Sequence, residues 1–473
     1  MQQQPRNRKQ QKVTSDMKTV LKFSSVSLAM LILAGCVSTS INENKQNKVS
    51  LITLDPGHFH AALVQKTMYP QVSPIVNVYS PEGQDLNEHL NKINGYNTRT
   101  NEPTKWKEIV YTGSDFLKKM IAEKKGNVVV ISGNNARKTD YIYSSVKGGF
   151  NVLSDKPMVI TPDKFQTLLQ AFDEAEQKGV LLYDIMTERH EITSMLQKEL
   201  SLIPAVFGNQ LLGSPDNPAI TKESVHHFFK YVSGKPLKRP AWFFDSTQQG
   251  EGLVDVTTHL VDLIQWECFP EQILDYKKDI KMLEARRWTT TLSDKQFTKA
   301  TGLDKYPDSL GPCVKDGKLV SYCNGKMLYC IKGVHAMVSV IWNFEAPEGT
   351  GDTHYSVMKG SRCNLVIRQG KDEGYKPVLY IEANKSQIIG ADLSIAIGKT
   401  LQTKYPGLTM EAVSDGKWKV IVPAKFQVGH EAHFAQVTEK FLSYLSAGKL
   451  PAWEVPNMKA KYFTTTEAAR MAK

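Results

Sequence analysis

The run Asn127-Val128-Val129-Val130-Ile131 decides the fold class of this 473-residue chain. Four consecutive apolar residues with branched side chains are typical of a parallel strand that is buried on both faces of its sheet. Strand and helix patterns alternate on either side of this run. Further strands are predicted at 49–54, 74–79, 150–153 and 180–185, and helices at 61–68, 114–124, 141–148 and 161–179. This alternation indicates βαβ units, and hence an α/β domain with a doubly wound parallel sheet.

The pattern changes after about Pro204, where short β-prone runs replace the helical periodicity. These runs predict a large, mostly antiparallel sheet with one exposed face, and they lie at 205–212, 327–331, 334–342, 364–367, 378–382 and 417–422. Two helices, at 430–446 and 464–473, are predicted to end the chain. Residues 83–108 are polar and are interpreted as an insertion or as a helix with a loop. We therefore predict an N-terminal Rossmann-like domain over 49–203 and a C-terminal α+β domain over 204–473.

The basic charge of the chain does not indicate a nucleic-acid partner. The formal net charge is +11, but the first 35 residues carry six basic side chains and one acid. The charge that remains is ordinary for a globular protein of this size. Because no basic run is interleaved with aromatic residues, we expect no nucleic-acid binding.

The N-terminus is predicted to be a targeting segment. Basic residues precede a short apolar run at 26–33, which is too short to span a bilayer. Leu33-Ala34-Gly35-Cys36 resembles the bacterial lipobox, whose cysteine is lipidated. The prediction is a signal peptide at 1–35, lipidation of Cys36, a tether at 36–48, and export to a bacterial membrane that the protein contacts only through its lipid anchor. The other five cysteines are either free thiols or disulfide partners, and their spacing does not pair them.

The stretch from Gly250 to Asp262 carries the first candidate chemistry. Asp255, His259 and Asp262 stand at i, i+4 and i+7, so on a helix they share one face. A histidine between carboxylates is suited to proton transfer near neutral pH. The alternative is a polar row that satisfies itself inside the core.

Two strand ends supply further candidates. Asp55-Pro56-Gly57-His58-Phe59-His60 follows the first strand, where a glycine-rich phosphate loop would lie, and Gly57 allows the backbone to approach a pyrophosphate. Asp155-Lys156-Pro157 follows a later strand, and a lysine there can hydrogen-bond a substrate oxygen. An ordinary turn and a solvated lysine are the alternative interpretations.

The order of these motifs resembles the Gfo/Idh/MocA family, which includes glucose–fructose oxidoreductase and inositol dehydrogenase. Asp155-Lys156-Pro157 is similar to the family's Glu-Lys-Pro motif. Residues 250–259 are similar to its Gly-Gly-x-x-x-Asp-x-x-x-His helix, and 131–135 to the strand end that delivers an asparagine to the cofactor. Residues after 270 resemble a lipoprotein branch of the family.

The resemblance implies a role for each matching residue. His259 would be the acid/base for a substrate hydroxyl, Lys156 would polarise that oxygen near the nicotinamide, and Asp255 would bind substrate hydroxyls and tune His259. Asp262 is expected to anchor the helix. The implied cofactor is NAD or NADP, held by Gly57, His58, Phe59, Ser80, Asn134, Asn135 and Lys156.

The chain departs from the family at the phosphate loop and at the second strand. Asp55 and His60 replace the outer glycines, and Ser80 stands where an acid usually holds the ribose hydroxyls, which leaves NAD and NADP both open. His430, His433 and His354 are candidates for the edge of a substrate cleft. No metal site is predicted, because their spacing lacks a third ligand.

Two functions follow from these observations. The first is an oxidoreductase that transfers hydride at a ring carbon of a sugar or glycoside. Because free nicotinamide cofactor is scarce outside the cytoplasm, an exported enzyme would suit a redox-neutral cycle with a retained cofactor, ending in glycoside cleavage or epimerisation. The second is a non-catalytic carbohydrate-binding lipoprotein with a degenerate nucleotide fold. Members of the family often form homo-oligomers, so such an assembly is possible.

Overall fold

The computed structural model describes residues 49–232, 235–384, 387 and 389–473. All of them lie in a compact unit that spans Asn47–Lys473. The predicted signal peptide at 1–35, the tether at 36–48 and Cys36 lie outside the described residues. Among the helices that are described, none is both long enough and apolar enough to cross a bilayer.

The first half of this unit is a six-stranded parallel sheet with helices between its strands. The strands are β1 (Leu51–Leu54), β2 (Ile75–Tyr79), β3 (Lys107–Tyr111), β4 (Val128–Ile131), β5 (Asn151–Asp155) and β6 (Leu182–Ile185). The helices are α1 (His60–Leu63), α2 (Gln84–Thr98), α3 (Phe116–Glu123), α4 (Asn135–Lys147), α5 (Pro162–Lys178) and α6 (Ile192–Ser201). The strand order is β3-β2-β1-β4-β5-β6, which confirms the predicted Rossmann-like sheet.

Strand β4 lies at the centre of this sheet, as its apolar sequence predicts. All four of its residues are buried. Val129 pairs with Ile52 of β1 on one side and with Val152 of β5 on the other. Because the strands are parallel, the segments that follow β1, β4 and β5 all emerge at one edge of the sheet.

The second half is built on a ten-stranded sheet. Its strands and those of two short ribbons are β7 (Gly213–Ser214), β8 (Asn217–Pro218), β9 (Ile220–Phe229), β10 (Tyr231–Val232), β11 (Lys235–Pro236), β12 (Ile280–Leu292), β13 (Val314–Lys315), β14 (Lys318–Ile331), β15 (Val334–Glu345), β16 (Thr353–Lys359), β17 (Cys363–Arg368), β18 (Val378–Ala383), β19 (Thr409–Ser414) and β20 (Lys417–Ile421). The order in the large sheet is β12-β14-β15-β9-β16-β17-β18-β20-β19, with β13 beside β14. The β9–β15 pair is parallel and the other described pairs of this sheet are antiparallel. The predicted mostly antiparallel sheet is confirmed.

Further helices pack on this sheet, and the last two also pack against the first sheet. They are α7 (Ser246–Gln249), α8 (Thr257–Cys268), α9 (Asp294–Thr301), α10 (Gly390–Ile395), α11 (His430–Ala447) and α12 (Glu454–Met471). Short 3-10 turns lie at Thr187–His190, Ala241–Phe244, Asp308–Cys313, Lys371–Glu373 and Ala424–Phe426, and a π-helical turn at Ala396–Leu401. Phe434 and Phe441 of α11 and Tyr462 of α12 join the core of the first sheet. The predicted domain division at 203/204 stays a prediction.

Two local predictions were wrong, and one strand was not predicted. Residues 205–212 do not form a strand: 205–207 lie in a turn, Gly208 adopts a left-handed backbone with φ of 74°, and Gln210 makes an isolated bridge to Gly360. Residues 83–108 hold α2, then a loop and the start of β3, which confirms a helix with a loop. Strand β3 is hard to see in the sequence because this edge strand is largely exposed. The last helix begins at Glu454 rather than at Thr464.

A buried ion network joins the two halves behind α8. Asp262 accepts two hydrogen bonds of 2.7 Å from Arg189 and one of 2.7 Å from Lys461. Arg189 also contacts Glu454 at 3.0 Å, and Lys461 contacts Asp184 of β6 at 2.7 Å. Burial by itself would raise the pKa of Asp262, but the two cations outweigh it and hold that pKa well below its usual value. Asp262 therefore anchors the helix that carries His259.

The five described cysteines are free thiols. Two of them, Cys323 and Cys363, are buried. Burial raises the pKa of Cys323 to about 11 and that of Cys363 to about 12, so both are protonated near pH 7.

Candidate active site

A cavity of about 920 Å³ opens at the carboxyl edge of the first sheet. Its lining includes the turns after β1 and β5, the segment that leads into α8 and α8 itself, the second sheet, and the starts of α6 and α11. Lys156, Asp255 and His259 all line it. The structure therefore brings together the three residues that the sequence nominates for catalysis.

Lys156 and Asp255 form an ion pair across the cavity wall. The Lys156 ammonium donates to Asp255 Oδ1 at 2.8 Å, and the amide of Gln249 donates to Oδ2 at 2.9 Å. Asp255 lies in the turn before α8 rather than on the helix, which corrects the prediction that it shares a helical face with His259 and Asp262. It reaches the cavity because that turn packs closely on β14, where a Cβ on Gly252 would lie 2.2 Å from the carbonyl oxygen of Cys323.

His259 lies in the first turn of α8, and its imidazole is available for proton transfer. Its Nδ1 atom is buried and has no hydrogen-bond partner among the described residues. Burial lowers the pKa of His259 well below its usual value, and the neighbouring Lys156 and His430 shift it in the same direction. The ring is therefore neutral near pH 7 and can accept a proton.

Lys138 on α4 supports Lys156, a role that the sequence analysis missed. Its ammonium is buried and donates to the carbonyl oxygens of Asp155 at 3.0 Å and Lys156 at 3.3 Å. Burial lowers the pKa of Lys138 to about 8. A lysine on the buried face of a helix, beside Ile142, is the signal that would have indicated it.

The turn after β1 is packed against the end of β4. The N–H groups of Gly57 and His58 both donate to the carbonyl oxygen of Ser132 at 3.2 Å. A Cβ on Gly133 would lie 2.2 Å from the carbonyl oxygen of Asp55, so glycine is required there. These two N–H groups, which a phosphate loop would aim at its ligand, are therefore already used by the protein.

The predicted cofactor residues divide into two groups. His58, Phe59, Asn135 and Lys156 line the cavity. Gly57, Ser80 and Asn134 do not: Ser80 is buried with its hydroxyl on the carbonyl of Pro81, and Asn134 caps α4 and donates to Gln248 at 2.7 Å. Four of the seven predicted cofactor residues therefore line the cavity, and the other three do not.

Asp85 on α2 closes the site above Gly57. Its Oδ2 atom lies 2.9 Å from where a Cβ on Gly57 would stand, and it accepts a hydrogen bond of 3.0 Å from the indole of Trp242. Burial raises the pKa of Asp85 to about 6. A pyrophosphate would fit at this turn only after Asp85 moves away from Gly57.

Two histidines and an acid meet beside Lys156. His60 Nδ1 lies 2.9 Å and His58 Nδ1 lies 3.8 Å from Oδ2 of Asp155, which also accepts from the hydroxyl of Ser132 at 3.0 Å. Burial lowers the pKa of both histidines. Burial by itself would raise the pKa of Asp155, but the neighbouring His60 outweighs it and holds that pKa well below its usual value. The His-x-His pattern in the first turn was the signal for this cluster.

A second polar cluster faces the first from the large sheet. Asp352 lies 2.8 Å from Nδ1 of His226 and 3.3 Å from that of His227, and it is paired with Lys230. His354 and Glu188 line the same cavity; burial lowers the pKa of His354 to about 3 and raises that of Glu188 to about 7. Of these residues, the sequence nominated His354 for the edge of a substrate cleft and did not single out Glu188.

His430 and His433, at the start of α11, also line the cavity. The ring of His430 lies 5.2 Å from that of His60. His430 therefore belongs to the edge of the site, where a substrate-cleft role was expected.

Comparison with known proteins identifies the family. Residues 196–473 match the family described as "Putative oxidoreductase C terminal domain", which covers more than half of the chain. A crystal structure described as a "putative oxidoreductase" from Parabacteroides merdae ATCC 43184 is 60% identical to this chain, with a TM-score of 0.88, and the match covers 90% of this chain and 97% of that one. Among curated proteins, none matches the chain.

More distant structures share the fold alone. A levoglucosan dehydrogenase in complex with NADH and levoglucosan is 12% identical with a TM-score of 0.55, covering 90% of this chain and 97% of its own. A 3-ketoreductase from Actinomadura kijaniata in complex with NADP is 11% identical with a TM-score of 0.51, covering 88% of this chain and 96% of its own. The chain therefore belongs to the Gfo/Idh/MocA family of oxidoreductases and is an enzyme of that type.

Proposed function

We propose that this protein is an NAD(P)-dependent oxidoreductase that transfers hydride to or from a ring carbon of a sugar or glycoside. The observation that carries the proposal is the meeting of Lys156, Asp255 and His259 in one cavity. The fold shared with a levoglucosan dehydrogenase solved with NADH and levoglucosan supports both the cofactor class and the substrate class.

Each of the three residues has a role that follows from its contacts. The ammonium of Lys156 is fixed by Asp255, so it can donate a hydrogen bond to the substrate oxygen and stabilise negative charge there. The neutral imidazole of His259 takes the proton of the substrate hydroxyl, or returns it in the opposite direction. Gln249 holds the second oxygen of Asp255, which fixes the ion pair in place.

The cofactor is NAD or NADP, which supplies the hydride acceptor or donor. Asn135 and Lys156 would contact its nicotinamide end, with His58 and Phe59 beside them. Binding of the pyrophosphate requires Asp85 to leave Gly57, and its contact with Trp242 would break at the same time. If Asp85 and Trp242 close over the pyrophosphate after it binds, they would hinder release of the cofactor.

The location of the enzyme sharpens the expected outcome. We propose that the protein is exported and anchored to a bacterial membrane through a lipid on Cys36. Because free nicotinamide cofactor is scarce outside the cytoplasm, a retained cofactor would be oxidised and reduced within one catalytic cycle. Glycoside cleavage or epimerisation after transient oxidation would be such redox-neutral outcomes.

Native mass spectrometry and turnover measurements test the proposal together. Protein purified under native conditions is expected to carry NAD or NADP. A panel of sugars and glycosides is then offered to wild-type protein, His259→Ala and the control His335→Ala, whose ring lies outside the cavity. Because general-base catalysis contributes about a hundredfold or more, His259→Ala should lose that factor in turnover and keep the nucleotide, and the control should keep both.

Two results would reject the proposal. The first is native protein without nucleotide that also fails to bind added NAD and NADP. The second is full activity in His259→Ala, which would remove His259 from its role.

A further inference from the structure

We infer that His58, His60 and Asp155 form a binding site for one divalent transition-metal ion. The three side chains offer ligand atoms that lie within 4.8 Å of one another. This inference goes beyond the proposed hydride transfer, which needs no metal.

The spacing of the ligand atoms suits a metal ion. With bonds of about 2.0–2.1 Å to imidazole nitrogen and carboxylate oxygen, neighbouring ligands around a tetrahedral ion stand roughly 3.3 Å apart. The observed distances to Asp155 Oδ2 are 2.9 Å from His60 Nδ1 and 3.8 Å from His58 Nδ1. Shifts of about half an ångström would bring both nitrogens to this spacing from Asp155 Oδ2. His58 Nδ1 accepts the N–H of His60 at 3.3 Å, and it would exchange that hydrogen bond for the metal.

The donor set selects the class of ion. Two imidazole nitrogens and one carboxylate oxygen suit Zn²⁺, Fe²⁺ or Mn²⁺, and they do not suit Ca²⁺, which takes six or more oxygens. Three protein ligands leave at least one coordination position for water or substrate, as in catalytic metal sites. All three residues line the cavity, so that open position faces it.

The scaffold around the three ligands is already fixed. The turn that carries His58 and His60 is tied to β4, because the N–H groups of Gly57 and His58 donate to Ser132. The hydroxyl of Ser132 also orients the carboxylate of Asp155. Ordered hydrogen bonds to a ligand carboxylate are a usual property of metal sites.

Asp155 is available as a ligand even though two lysines lie beside it. Lys156 is committed to Asp255, and Lys138 donates to main-chain oxygens rather than to the Asp155 carboxylate. Within the described part of the chain, the ion-pair partners of Asp155 are the two histidines. The Asp155 carboxylate faces two imidazole nitrogens and is not paired with either lysine, so it is positioned to ligate a metal together with the two histidines.

An ion held here would act in the same cavity as Lys156 and His259. Its open position could take a hydroxyl or carbonyl oxygen of the substrate. The ligand class at the site is therefore an oxygen-rich small molecule, such as a sugar, bound through metal and lysine together.

Metal content of the full chain tests the inference. Purified protein is stripped with a chelator, loaded separately with Zn²⁺ and with Mn²⁺, desalted, and analysed for metal by mass spectrometry. Wild-type protein is expected to retain about one ion per chain with at least one of the two metals. His58→Gln and Asp155→Asn should lose it at least tenfold, and the distant control His335→Ala should keep it.

Retention of the ion by both variants, or less than a tenth of an ion per wild-type chain, would overturn the inference. Circular dichroism of each variant excludes misfolding as the cause, and His58→Gln is the milder change because the His58 side chain is 18% exposed. Nucleotide content is measured in the same samples. Wild-type protein that holds metal but no nucleotide would reject the proposed function and support this inference. Wild-type protein that holds nucleotide but no metal would reject this inference and leave the proposed function standing.

Discussion

The substitution Asp262→Asn tests whether Asp262 anchors α8, and it leaves His259 on that helix unchanged. The substitution keeps the side-chain volume, but it removes the charge that accepts three hydrogen bonds of 2.7 Å from Arg189 and Lys461. Breaking a buried ion pair costs about 3–5 kcal/mol. The lower end applies here, because Arg189 still faces Glu454 and Lys461 still faces Asp184.

The expected change in melting temperature follows from the size of the folded unit, Asn47–Lys473. An unfolding entropy of about 2.1 cal/mol/K per residue gives roughly 0.9 kcal/mol/K for a unit of this size, so a loss of about 3 kcal/mol lowers the melting temperature by about 3 K. The assay is calorimetry at pH 7, with Asp173→Asn as control. Asp173 pairs with Lys459 at the surface, where such a contact is worth less than about 1 kcal/mol.

The pH dependence of Asp262→Asn gives a second check. Because the folded pKa of Asp262 is depressed, its contribution is present above the unfolded pKa of about 3.9 and is lost as the pH falls further. The gap in stability between wild type and variant should therefore narrow below about pH 4. A variant as stable as the Asp173→Asn control at pH 7 would refute the argument that Asp262 anchors the helix.

Three further predictions concern the site itself. On the acid side, kcat/KM should fall at a pH below the ordinary histidine pKa of about 6.5, because burial and Lys156 both lower the pKa of His259. Lys156→Met should raise the pKa of His259 in an NMR titration of its imidazole, and an unchanged pKa would contradict the effect of Lys156 on His259. Asp85→Ala removes the side chain that covers Gly57, so calorimetric binding of NAD or NADP should tighten by about tenfold, the equivalent of 1.4 kcal/mol, and unchanged or weaker binding would contradict this arrangement. Gly252→Ala places a Cβ 2.2 Å from a carbonyl oxygen, so it should cost about 1–3 kcal/mol in thermal unfolding, and an unchanged melting temperature would show that the turn can relax.

The architecture was readable from the sequence because it depends on local patterns. The apolar run at 128–131 is a central strand with every residue buried, and the alternation around it is the doubly wound sheet. Strand β3 escaped prediction because it lies at an exposed edge, where no apolar face is required. The helical face proposed for Asp255 was wrong because α8 begins two residues later, at Thr257.

The site was only partly readable, because its members meet through the fold. Lys156 and Asp255 were nominated from separate motifs, and the structure joins them at 2.8 Å. The meeting of His60 with Asp155 involves strand ends 95 residues apart, which no spacing rule reports. The closure of the phosphate turn by Asp85 depends equally on how α2 packs, and the sequence of the turn shows only the missing glycines.

Transfer of deuterium into the cofactor tests the central claim most directly. Native protein with its nucleotide in the oxidised form is mixed with sugars and glycosides deuterated at their ring carbons. The reaction is quenched within a single turnover, before a redox-neutral cycle can return the hydride, and the nucleotide is analysed by mass spectrometry. The proposed function predicts deuterated NAD(P)H from wild-type protein with at least one substrate, formed more slowly by about a hundredfold or more in His259→Ala. Recovery of undeuterated nucleotide with every substrate, or of no nucleotide from native protein, would contradict it.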